Sequence, residues 1–256
     1  MKKIILSSLA AAALAVGSNA YALLANDIGG NYTSPTWTNG ANGGSGFLAW
    51  TISSGGGTGG AGGTFIGDPA AAGISGMSTS SFGMFANPSG SGAFANADRQ
   101  FTNAMSVGDT FSFQWGINWD SGATGNKGFN LYTGAPGTGE IINVNNGGSD
   151  AITFNGVNTG FGFGTSVMNW SFTLTDATTL AVSVNDRDGS GTFSTNLTVA
   201  ASPLSFRFYA SDMQAGDNAQ PYFNNLNVVP EPSTYALLAL SAAGLAGYAV
   251  RRRARK

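Results

Sequence analysis

The chain has 256 residues and contains neither cysteine nor histidine. Without cysteine, no disulfide braces the fold and no thiolate serves as nucleophile or metal ligand. Without histidine, Ser-His-Asp and Cys-His catalysis and histidine-based zinc sites are excluded. Charge is scarce as well, at 9% of residues. Between residues 23 and 229 there are four basic residues, Arg99, Lys127, Arg187 and Arg207, against twelve acidic ones, so this stretch carries −8. An acidic, lysine-poor body argues against nucleic-acid binding, and its charge serves solubility. Helix formers are also sparse, and Glu140 is the one glutamate before the C-terminal tail. Glycine, asparagine, serine and threonine dominate instead, a composition of strands and tight turns.

The two ends differ from the middle. Met1-Lys2-Lys3 is a basic start, Ile4 to Val16 is apolar, and Ala20-Tyr21-Ala22 has the small-x-small form of a cleavage site. This is the pattern of a secretory signal peptide over 1–22, cut after Ala22, with Ala20 as the alternative. At the other end, Pro230-Glu231-Pro232-Ser233 precedes an uncharged run from Tyr235 to Val250, which is followed by Arg251-Arg252-Arg253-Ala254-Arg255-Lys256. Sixteen residues at ~1.5 Å each give a helix of about 24 Å, short of the ~30 Å hydrocarbon core. Flanking residues and a snorkelling Arg251 can extend it. Ser233 suits an N-cap after Pro232. The basic cluster acts as a stop-transfer signal held on the cytoplasmic side, so the body of the chain lies across the membrane from it. A buried terminal core helix is the alternative, but five basic residues among the last six would cap it oddly.

Together, Pro230, Glu231 and Pro232, the short span and Arg251 to Arg253 resemble the PEP-CTERM sorting signal of Gram-negative bacteria. The resemblance covers about a tenth of the chain. It implies handling by exosortase, a membrane-embedded cysteine transpeptidase-like enzyme, after export by the Sec machinery. The chain would be anchored transiently in the inner membrane, then delivered to the cell surface or extracellular matrix. Residues 230–256 are thus a sorting domain, and 23–229 are the passenger.

The passenger reads as strands. From Asp109 to Trp119, the residues Phe111, Phe113, Trp115, Ile117 and Trp119 recur at period two, placing five large apolar side chains on one face. Such a face is expected in the core, with an exposed sugar-stacking platform as the other reading. Further strands are predicted at 47–52, 81–86, 93–101, 128–132, 140–144, 151–154, 167–175, 180–184, 191–199, 204–210 and 222–229. The glycine-rich stretch 55–63 is expected to be a surface loop; it lacks the Gly-Lys-Ser/Thr of a phosphate cradle. The pattern predicts an all-β, antiparallel two-sheet β-sandwich. The stretches 111–119, 128–132 and 206–226 resemble the jelly-roll, concanavalin-like passengers common in PEP-CTERM proteins, which implies a fold and no activity.

Chemistry is thin. Asn185-Asp186-Arg187-Asp188-Gly189 sets Asp186 and Asp188 two apart before a glycine, a spacing that suits calcium oxygens and equally a hairpin turn. No other cofactor is implied. Asp212 to Asp217 is a second, weaker oxygen-rich loop. Asp120, Asn126 and Lys127 are expected together in a loop beside Trp119. Glu140 has no partner acid at period two, against what a glycoside hydrolase of this fold presents. The expectation is a non-enzymatic surface or matrix protein. The alternative is a module binding exopolysaccharide, with a hydrolase behind both.

Overall fold

A computed structural model describes residues 24–119, 125–148, 151–185 and 192–230, together with Gly244 and Arg251. Within them the β-branched and aromatic alternation forms fifteen strands: β1 (Ala25–Asp27), β2 (Thr51–Gly55), β3 (Ala61–Gly67), β4 (Ser81–Asn87), β5 (Phe94–Gln100), β6 (Asp109–Gly116), β7 (Asn126–Tyr132), β8 (Glu140–Gly147), β9 (Ile152–Phe154), β10 (Val157–Asn158), β11 (Met168–Asp176), β12 (Thr179–Asn185), β13 (Thr192–Thr198), β14 (Ser205–Ser211) and β15 (Tyr222–Pro230). The first sheet runs β13-β12-β11-β6-β15-β4-β3, with β1 also on β15; the second runs β10-β9-β8-β7-β14-β5-β2. Every ladder is antiparallel. The protein is the all-β, two-sheet sandwich that the periodicity predicts.

The core lies between the sheets. From the first, Phe111, Phe113 and Trp115 (β6), Trp170 and Phe172 (β11), and Phe223 (β15) point inward. From the second they meet Phe129 (β7), Val144 (β8), and Phe206 and Phe208 (β14). Aromatic rings join the layers: Phe208 stacks on Phe223 at 3.9 Å between centroids, and Phe113 meets Phe129 edge-on at 4.8 Å. Each such pair contributes roughly 0.5–1.5 kcal/mol beyond area burial. With no disulfide available, this aromatic packing and one buried ion pair brace the fold. Asp27, on β1, pairs with the Arg99 guanidinium, on β5 of the opposite sheet. Arg99 lies over the Phe47 and Trp50 rings at 4.8 and 4.7 Å, and donates to the Leu48 carbonyl and the Asn42 amide oxygen.

Three expectations are corrected. The alternation of β6 ends at Gly116, and Trp119 is 37% exposed, so four of the five expected residues are in the core. The cause is local: the Asn118 side chain donates to the Ala72 carbonyl at 2.7 Å, and Trp119 N–H donates to the Asn218 carbonyl, pulling the chain off the ladder. The predicted 55–63 loop is a short turn between β2 and β3, and residues 61–63 are in β3. Side-chain volume there comes from neighbours: a Cβ on Gly63 would sit 2.9 Å from the Phe85 ring. The strand expected over 47–52 begins at Thr51, because Phe47 and Trp50 reach the core from irregular backbone.

Candidate functional site

The outer face of the second sheet is a polar grid. Core-facing residues of β14 are Phe206, Phe208 and Ala210; the alternate residues Arg207, Tyr209 and Ser211 face outward. Register places Tyr209 beside Asn96 (β5) and Gly128 (β7), and Gly128 beside Asn145 (β8). One row along, Asp98, Arg207, Asn130 and Asn143 line up across the same four strands. A groove of about 430 Å³ runs over this grid, lined by Asn126, Asn130, Asn143, Asn145, Tyr209 and Glu140 among others.

The grid holds its own side chains in place. Arg207 pairs bidentately with Asp98, at 2.6 and 3.0 Å. This contact raises the Arg207 pKa. Asn130 donates to Glu140 at 2.9 Å, and Asn145 donates to Asn126 at 2.9 Å. The Tyr209 hydroxyl lies 3.0 Å from the Val144 carbonyl and 3.1 Å from the Asn145 amide oxygen. It crosses β7 to get there because Gly128 has no side chain; a Cβ would overlap the Val144 carbonyl and stand 2.9 Å from the hydroxyl. Burial raises the Tyr209 pKa and pushes that of Tyr132 up to about 12, so both are neutral donors at physiological pH. Phe94 is 40% exposed at the groove's edge. Rigid amides, hydroxyls and one exposed ring make a surface for hydrogen bonding and stacking. Glu140 and Asp98 stand three strand spacings and two residues along the strand apart, about 16 Å between backbones. Each is bonded to a side chain from the strands between them.

The residues named from sequence scatter. Pro230 ends β15, opposite Asp109 of β6. Glu231, Pro232, Arg252, Arg253, Asp120 and the whole Asp186–Asp188 loop lie outside the described residues. Arg251 is described as exposed and helical. Asn126 and Lys127 are on β7 rather than in a loop, and on opposite faces: Asn126 lines the groove, while Lys127 is fully buried and reaches the Ala219 carbonyl at 3.4 Å. Asp212 accepts from Gly92 and Ala93 N–H at 2.6 and 3.1 Å, which makes it a turn brace. Among the described residues, no three His, Cys, Asp or Glu group so as to hold a metal. Among them, too, no helix is long and apolar enough to cross a membrane; the 235–250 run falls outside them except for Gly244. The groove itself went unnoticed in the sequence. Its signal is the run of outward polar positions Asn143 and Asn145, Asn126 and Asn130, interleaved with core residues on β8 and β7.

Residues 228–253 match the PEP-CTERM protein-sorting motif. Such a motif marks an exported protein, anchored in the membrane before exosortase cleavage. No curated protein sequence matches the chain. Several solved structures are similar to parts of the chain. The T. cruzi calreticulin globular domain is 11% identical, with TM-score 0.43, covering 80% of this chain and 94% of that one. The Emp46p carbohydrate recognition domain in its potassium-bound form is 11% identical, with TM-score 0.42, covering 71% and 88%. Beta-agarase A in complex with oligoagarose is 10% identical, with TM-score 0.39, covering 60% and 74%.

Proposed function

We propose that this is a non-enzymatic β-sandwich of a Gram-negative bacterium, exported by the Sec route, released from its tail by an exosortase-type enzyme, and placed at the cell surface or in the extracellular matrix. The carrying observation is the sorting motif over 228–253, which begins in the last described strand of a sandwich where Glu140 and Asp98, the acids of the outer grid, are already engaged by Asn130 and Arg207. Substituting Glu231→Ala leaves the full-length chain in the inner membrane, measured by fractionation and immunoblotting. Release of the shortened form at the normal level overturns the reading.

The groove on the second sheet supports a second reading, binding of a neutral exopolysaccharide. Its amides and the Tyr209 hydroxyl are held in place before any ligand arrives, and Phe94 offers a ring for stacking. Retention on the organism's own polysaccharide, lost in Phe94→Ala and in Tyr209→Ala, supports it; no retention on any glycan removes it. Repeating the assay with a chelator tests whether calcium at Asp186 and Asp188 takes part. Hydrolysis is the weakest reading, and glycan cleavage that survives Glu140→Gln removes its one glutamate.

A further inference from the structure

The sorting tail leaves the sandwich at a specific end, and that end has an apolar surface. β15 runs toward the tail clamped on both sides, with Val228 opposite Ala25 of β1 and Phe111 of β6, and with Pro230 opposite Asp109. Leu24 N–H donates to the Val228 carbonyl, so the N-terminal segment joins the fold at the same place. A groove of about 280 Å³ opens here, lined by Leu24, Ala25, Phe101, Ala104, Met105 and Val228 among others. Leu24 is 48% exposed. Val107 is 58% exposed in the tight turn from Ser106 to Asp109, both of which line the groove; the turn closes with Asp109 N–H donating to the Ser106 carbonyl. Since Asp109 opposes Pro230 in the last ladder pair, Val107 lies beyond the end of that ladder, on the side where the tail departs. The one charged residue in this groove, Asp109, is buried and accepts from Ser106 N–H at 2.7 Å.

Chain length then brings this end to the membrane. Only Glu231, Pro232, Ser233 and Thr234 separate Pro230 from the apolar run that begins at Tyr235. Five residue steps span at most about 17 Å when fully extended. The headgroup layer of one leaflet takes roughly 5–8 Å of that. A strand end held so closely puts the projecting Leu24 and Val107 at the headgroup boundary, where exposed apolar side chains are stabilised by partial burial.

We infer that, before processing, the Leu24–Val107 end of the sandwich rests on the lipid surface, with these two side chains entering the interface and the sorting motif enclosed beneath. The inference rests on the anchoring that the sorting motif implies. The groove itself presents no exposed charge, and the exposed acid at this end, Asp176 just past Leu174, whose carbonyl accepts from the Gly108 N–H beside Val107, is negative, so the contact gains nothing from anionic lipid. It also means that the processing enzyme reaches Glu231 only from within the membrane or by tilting the sandwich away.

The absence of cysteine makes the test clean. The full chain is expressed for export in a host lacking the processing enzyme, purified with its tail, and reconstituted in phosphatidylcholine vesicles with or without phosphatidylglycerol. Single variants Leu24→Cys, Val107→Cys and, at the opposite end, Ala215→Cys carry an environment-sensitive fluorophore. Doxyl-labelled lipids quench the label at 24 and 107 but not at 215, and no more strongly with phosphatidylglycerol than without it, while aqueous iodide shows the reverse order. Flotation separates the two ways to fail. Chains that do not float with vesicles overturn the anchoring itself. Chains that float while all three labels stay open to iodide overturn the lipid contact alone. Shielding at 107 that appears only when the processing enzyme is added assigns the surface to that enzyme and likewise overturns the lipid contact. Circular dichroism confirms that each labelled variant is folded.

Discussion

Asp98 and Arg99 are neighbours on β5, and each belongs to an arginine–aspartate pair, one on each face of the sheet. Inward, Arg99 meets Asp27 with both side chains fully buried, backed by two aromatic rings, the Tyr32 hydroxyl and the Trp50 indole N–H. Outward, Asp98 meets Arg207 with side chains 11% and 27% exposed, so this pair is partly solvated where the inner one is not. The ionic groups are identical, so the difference lies in surroundings. The inner pair joins β1 of one sheet to β5 of the other and leaves no room for an unpaired partner. The outer pair orders a surface grid and contributes little to holding the sheets together.

This contrast can be broken experimentally, beginning with its strongest element. Arg99→Met should cost about 3–5 kcal/mol in urea unfolding, because Asp27 is left charged and buried without its cation. Burial lowers the Arg99 pKa to about 9, still above neutrality, so the wild-type guanidinium is charged at pH 7. The double variant Asp27→Leu with Arg99→Met should recover most of the loss; if each single change is mild, the inner pair is not a brace. Next, Gly128→Ala should cost roughly 1–3 kcal/mol through backbone displacement. It should also detach the Tyr209 hydroxyl from Val144 and Asn145, visible as a change in the near-ultraviolet circular dichroism of tyrosine. An unchanged spectrum and melting curve would remove the glycine from the account of the groove.

Smaller effects are expected outside. Arg207→Ala should lower stability by only about 0.2–1 kcal/mol, and the difference should shrink at high salt, as expected for a partly solvated pair. A loss equal to that of Arg99→Met would erase the distinction between the two faces. The last test lies at alkaline pH and is silent near neutrality. Tyr132 has its pKa raised from 10.0 to about 12, chiefly by burial. An acid whose folded pKa is raised contributes stability below its unfolded value and loses it as pH climbs from about 10 to about 12. Tyr132→Phe should therefore flatten the fall in melting temperature over that range, and an identical fall in the variant would contradict it.

Much of this architecture was legible in the chain. The alternation Phe111, Phe113, Trp115 is a local signal, and it marks β6 because side chains on a strand must alternate between faces. β3 was hidden for the opposite reason: its glycines carry no pattern, since the rings of Phe85 and Phe65 fill the space above Gly63 and Gly67. Lys127 misled because a lysine among polar neighbours reads as surface, whereas its place in β7 turns it into the core beside Phe129. The groove escaped because Asn126 and Asn145 meet through a ladder between strands, and no spacing within either strand predicts that contact.

The sequence by itself determined the sorting motif at the C-terminal end and the all-β character, since the motif and the period-two alternation are written in consecutive residues. Tertiary structure decided the rest. Arg99 finds Asp27 72 positions away, Tyr209 finds Val144 65 positions away, and Leu24 settles beside Val228. Such contacts depend on which strands become neighbours, and that is settled by packing the two apolar faces against each other rather than by any local run of the chain.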